Sequence, residues 1–215
     1  MVKNLREPVN GITHLIGAIL SLFALIAMIV KVNYNNGSLR ELLSILFFGI
    51  GMILLYSASF TYHSVIANSK IIMALKRLDH SMIFILIAGS YAPYCLVALN
   101  NKTGIILFSA VAIASIIGII FKLAWVTCPR WLSSTIYIAV GWFAVFAIYP
   151  ISKVVALPGV ILLFLGGVMY TIGGVIYALK KDKIKIGIFG SHEIFHIFIM
   201  LGSLCHFISV YMYII

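Results

Sequence analysis

The chain is 215 residues long, 63% hydrophobic and 9% charged, where soluble domains run at roughly 45–50% and about 25%. That balance excludes a soluble globular protein and leaves no length for a separate soluble domain, so residues 1–215 read as one polytopic membrane domain. The net charge of +10 does not point to nucleic acid, because the basic residues flank apolar runs and form no continuous patch.

Lys3 and Arg6 precede the first apolar run, residues 12–32. It is too long for a signal-peptide core and ends in no small-residue cleavage site, so it reads as a first transmembrane helix. Further runs of about 20 apolar residues, enough to cross a bilayer core, fall at 41–63, 80–99, 103–123, 132–150, 157–179 and 188–214. The predicted fold is all-α: a seven-transmembrane helix bundle with short connections.

Eleven of the fifteen Lys and Arg fall on the N-terminal side of these spans: Lys3, Arg6, Lys70, Lys76, Arg77, Lys122, Arg130, Lys180, Lys181, Lys183 and Lys185. Lys31, Arg40, Lys102 and Lys153 fall on the other. The positive-inside rule then predicts an inside N-terminus and an outside C-terminus, in a multi-pass protein of the cell membrane. Basic cytoplasmic loops of this kind suit the anionic lipids of the inner leaflet. The predicted orientation is opposite to that of the seven-helix receptors that couple to G proteins.

Several features read as packing. Gly159, Gly166 and Gly173, with Gly167 and Gly174 beside them, form a small-residue stripe that lets helices approach closely in lipid. Pro93 and Pro150 lie near span ends, where a kink is tolerated. Trp125, Trp131, Tyr34, Tyr211 and Tyr213 mark an aromatic belt. Cys95, Cys128 and Cys205 are widely spaced and give neither a disulfide framework nor a thiolate metal site.

The polar residues are more informative. His192 and His196, four apart at the head of the last span, share one helix face and offer two imidazoles to one metal ion. With the predicted alternation of spans, His63 at the end of span two and Asp79 just before span three reach the same depth. Three neutral imidazoles leave one open position in a tetrahedral zinc shell. A water held there would be acidified, and a nearby carboxylate could take its proton. Ser59, one turn from His63 on the same face, is placed to donate a supporting hydrogen bond. His80 and His14, taken singly, read as interfacial groups. His206, about 15 Å beyond His196 along the helix, reads as packing. The run His192-Glu193-Ile194-Phe195-His196 also matches H-E-x-x-H of metalloproteases, but no later helix supplies a third ligand.

With these residues assembled, the chain resembles the haemolysin III branch of the progestin and adipoQ receptor (PAQR) family. The resemblance covers all seven spans. It rests on Glu7-Pro8-Val9-Asn10-Gly11-Ile12-Thr13-His14, on Ser59-x-x-x-His63, on Asp79 and on His192-x-x-x-His196. It implies zinc held by His63, His192 and His196, with Asp79 contacting the metal's water and Ser59 behind it. Glu193 falls where the family motif is open, and Glu7, Asn10 and His14 match a signature whose expected role is helix start and packing. Members are associated with membrane-lipid homeostasis, and their similarity to alkaline ceramidases implies hydrolysis of a lipid amide or ester. The large N-terminal region of the eukaryotic receptors has no counterpart in this sequence, which argues against a hormone receptor. The alternatives are a cytolytic, pore-forming protein or a sensor of membrane state, with zinc in a structural role. In each case a membrane lipid is the expected substrate or ligand.

Overall fold

The computed structural model describes residues 5–179 and 189–215. Among them seven helical crossings are long and apolar enough to span a bilayer. They are α1 (Pro8–Tyr34), α2 (Leu39–Ser64), α3 (Ser69–Ala92) with a π-helical extension (Pro93–Leu99), and α4 (Lys102–Ala124). The fifth crossing joins α5 (Arg130–Gly141) through a 3-10 segment (Trp142–Ala147) to α6 (Ile148–Val154), and α7 (Leu157–Ala178) and α8 (Ser191–Tyr213) complete the bundle. The predicted all-α seven-helix architecture is the observed one. Lys3, the four lysines at 180–185 and the predicted boundary at 188 lie outside the described residues.

Two crossings depart from the hydropathy reading. α3 begins at Ser69, where the Asn68 side chain accepts from the Ile71 N–H at 3.1 Å. Its first turns carry Lys70, Lys76 and Arg77, so they fall outside the apolar run although they are helical. Asp79 and His80 therefore do not open the helix as predicted. They are buried about 15 Å along it.

The fifth crossing is broken in the middle. Tyr91 from α3 reaches into it, donating to the Gly141 carbonyl at 2.6 Å and accepting from the Ala144 N–H at 2.7 Å. A side chain inserted into the helical ladder is a recognised cause of such a break. Here it hands the freed backbone groups a partner.

Packing runs α1 on α2, α2 on α3, α3 on α4 and α7 on α8, with α8 closing against α1. Lipid supplies little hydrophobic drive between helices, so close approach has to come from small residues. A Cβ on Gly166 would stand 2.7 Å from the His206 ring, and one on Gly173 would stand 3.0 Å from Phe198. Gly159, Gly166 and Gly173 of the predicted stripe thus form the seam along which α7 lies on α8, whereas Gly174 faces Ile138 of α5 and Gly167 meets nothing within 4 Å. Gly17 against Tyr56 and Gly49 against Leu25 do the same between α1 and α2. These seams hold α1 on α2 and α7 on α8, and the contact of α8 with α1 brings the two pairs together at the site.

Candidate metal centre

His63 lies in the last turn of α2, while His192 and His196 lie in the first turns of α8. Their ligand nitrogens all fall within 4.8 Å of one another. His63 and His192 face each other through their Nε2 atoms at 3.3 Å. That is about the edge of a tetrahedron with metal–nitrogen arms of ~2.0–2.1 Å. His63 and His196 are almost wholly buried, and His196 Nδ1 has no hydrogen-bond partner among the described residues. Buried imidazoles converging without a shared carboxylate leave lone pairs that need a proton or a cation between them. The donor set fits a metal ion.

Around these three stands a layer that sequence spacing hinted at but did not explain. Glu7, Asn10 and His14 recur at i, i+3 and i+7, one face of the start of α1. The structure turns that face onto the centre. The Glu7 carboxylate accepts from His63 Nδ1 at 2.6 Å. Asn10 Nδ2 donates to Glu7 at 3.3 Å and to Glu193 at 2.9 Å. The His14 ring stacks on His196 with centroids 3.6 Å apart and planes 17° from parallel. The hydrogen bond from His63 holds the Glu7 carboxyl at about 2, well below its usual value, against the upward push of partial burial; the Arg6 guanidinium adds to the lowering. Glu193 also accepts from the Gly190 N–H at 2.9 Å and so starts α8. Its carboxylate is engaged in this helix start and the Asn10 contact, an arrangement that does not match a protease base.

Two cavities meet at the histidines. A mouth of about 820 Å³ is lined by one end of every crossing but α4 and by residues 126–129 between α4 and α5, with Glu7, His63, Lys76, Arg130, Tyr177 and His192 among its walls. An inner cavity of about 260 Å³ runs along the bundle, with Ser59, Asp79, His192 and His196 at one end and apolar side chains such as Leu86, Leu163 and Ile199 beyond. His80 and His192 line both. Asp79 and Ser59 are buried in the inner wall, and neither belongs to the converging set of ligand atoms. His206 lies deeper, its ring stacked on Tyr170 at 5.3 Å, and is not one of the three converging histidines.

Comparison with known proteins agrees with the motifs. The model of the family described as "Haemolysin-III related" matches residues 2–207. The chain is similar to the Hemolysin-3 homolog of Bacillus subtilis (strain 168), 37% identical over 208 residues, which is 97% of this chain and 94% of that protein. It is similar also to Hemolysin-3 of Bacillus cereus, 35% identical over 210 residues, 98% and 92% of the two chains. A more distant likeness is to the adiponectin receptor protein of Drosophila melanogaster, 27% identical over 231 residues and covering 94% of this chain and 49% of the receptor. The seven crossings and these bacterial relatives make it a multi-pass protein of the cell membrane. The chain belongs to the haemolysin III family.

Proposed function

We propose that the protein is a zinc-dependent hydrolase of a membrane-lipid amide or ester, with its centre near the cytoplasmic face. The observation that carries this reading is the placement of three converging imidazoles where a wide mouth meets an apolar inner cavity. His63, His192 and His196 would hold the zinc, since three neutral imidazoles are a donor set that catalytic zinc sites use. When bound, zinc supplies Lewis-acid polarisation of a carbonyl and a water of lowered pKa.

The chain's own groups do the rest. Asp79, in the cavity wall, accepts the proton of the attacking water. Ser59 hydrogen-bonds the water or the carbonyl oxygen as charge develops. The apolar wall holds the acyl chain and keeps bulk water out. Lys76 and Arg130 at the mouth suit an anionic headgroup, and the excess of basic residues on that side supports a cytoplasmic mouth.

The names of the two Bacillus relatives, Hemolysin-3 and its homolog, favour a second reading. In it the protein is cytolytic, and zinc only joins α2 to α8. Incubating the purified protein with a panel of ceramides, phospholipids and acyl amides separates the two. Fatty acid released by the zinc-loaded form, and lost on chelation, is the expected result. Zinc-loaded protein that releases nothing from any lipid overturns the hydrolase reading.

A further inference from the structure

We infer that Glu7 is a positioning residue of the metal centre, acting through His63. The inference rests on the metal reading above. A carboxylate only accepts hydrogen bonds, so its 2.6 Å contact with His63 Nδ1 requires the hydrogen on that nitrogen. The lone pair then resides on Nε2, the atom that faces His192 Nε2 at 3.3 Å. Glu7 thereby selects the tautomer of His63 that can bind a metal, and fixes the plane of its ring. Carboxylates behind ligating imidazoles have this effect and raise the basicity of the ligand.

What holds Glu7 in place supports a dedicated role. Its backbone N–H donates to the His63 carbonyl at 2.9 Å, and the Arg6 N–H donates to the Ser64 carbonyl at 3.3 Å. The start of α1 is therefore tied to the end of α2. Asn10 bridges the Glu7 and Glu193 carboxylates, tying the same point to the start of α8. α1 contributes none of the three ligands, yet it carries the carboxylate and the amide that register both ligand-bearing helices.

A generic ion pair would look different in solution. The Glu7 side chain is 40% exposed but that of His63 only 2%, so removing the carboxylate altogether leaves a buried imidazole N–H without an acceptor, whereas an amide in its place keeps one. Glu7→Gln, which keeps the acceptor and loses only the charge, should leave the fold intact and show in the metal instead.

The test measures zinc affinity of the full chain in detergent by competition with a chelator, for wild type, Glu7→Gln and Glu7→Ala. Thermal unfolding of each metal-free protein is followed in parallel, with the visible spectrum of the cobalt(II)-loaded forms. Glu7→Ala should bind zinc 10- to 100-fold more weakly, the range for losing such a partner. Glu7→Gln should recover part of the loss, because its amide oxygen still accepts from Nδ1. The metal-free midpoints of wild type and Glu7→Gln should coincide, and the cobalt bands of Glu7→Ala should shift. A Glu7→Ala affinity within twofold of wild type overturns the inference, as does a Glu7→Gln loss matched by destabilisation of its metal-free form. If wild type takes up no zinc, the metal reading fails and this inference with it. Zinc held equally by all three overturns this inference alone.

Discussion

Asp79→Asn separates the chemistry from the scaffold. The residue is buried in the inner wall, outside the set of converging ligand atoms, and it lines the same cavity as His192 and His196. The amide is nearly isosteric and still hydrogen-bonds, so the helix and the three imidazoles should stay as they are. It cannot accept a proton at working pH. Losing a general base costs roughly 10²–10⁴ in rate, or about 2.7–5.5 kcal/mol of barrier at about 1.36 kcal/mol per tenfold. The assay pairs elemental zinc content with fatty-acid release, for wild type and variant on the same lipid. Zinc retained near wild type with hydrolysis down at least a hundredfold is the expected pair. Zinc lost from the variant would make Asp79 a ligand and refute the assignment drawn from the geometry. Zinc retained with undiminished hydrolysis would remove Asp79 from the chemistry.

Three further outcomes follow from the same geometry. His63→Ala, His192→Ala and His196→Ala should each lose most zinc by elemental analysis, while His206→Ala, deeper in the bundle against Tyr170, should keep it. Gly166→Leu should destabilise the bundle by about 1–3 kcal/mol, the usual cost of overpacking, because even its Cβ would stand 2.7 Å from the His206 ring. Gly167→Leu, whose Cβ would have nothing within 4 Å, should unfold near wild type in a thermal assay. A reporter fused after Ile215 should be active only outside the cytoplasm, and activity inside would invert the proposed orientation.

Most of the fold was legible because a bilayer imposes length and polarity on each crossing. Hydropathy alone failed at Ser69, since the first turns of α3 are helical for reasons of capping and lie outside the apolar run. It also missed the break after Gly141, which depends on a tyrosine hydroxyl from another helix. His63, His192 and His196 could be grouped because alternating crossings bring the ends of α2 and α8 to one side. The role of Glu7 and Asn10 was not legible. Their partners, His63 and Glu193, are 56 and 183 residues away, and spacing within α1 shows a shared face without showing what that face meets.

The shape of the site bears on which reading to prefer. A metal that merely joined α2 to α8 would need three imidazoles and tight packing around them. It would need neither an inner cavity nor a carboxylate from α3. Both are present, and both work against stability. A buried ionisable group within a crossing is expensive, and space not filled by side chains forfeits dispersion contacts. Sequences carry such local conflicts mainly where function requires them. The carboxylate also stands in the wall of the cavity that an acyl chain would fill, on the same side as His192 and His196. A structural metal site gives no reason for that coincidence. A hydrolytic one requires a proton acceptor within reach of both metal and substrate, and Asp79 lies in the wall where such a group is needed.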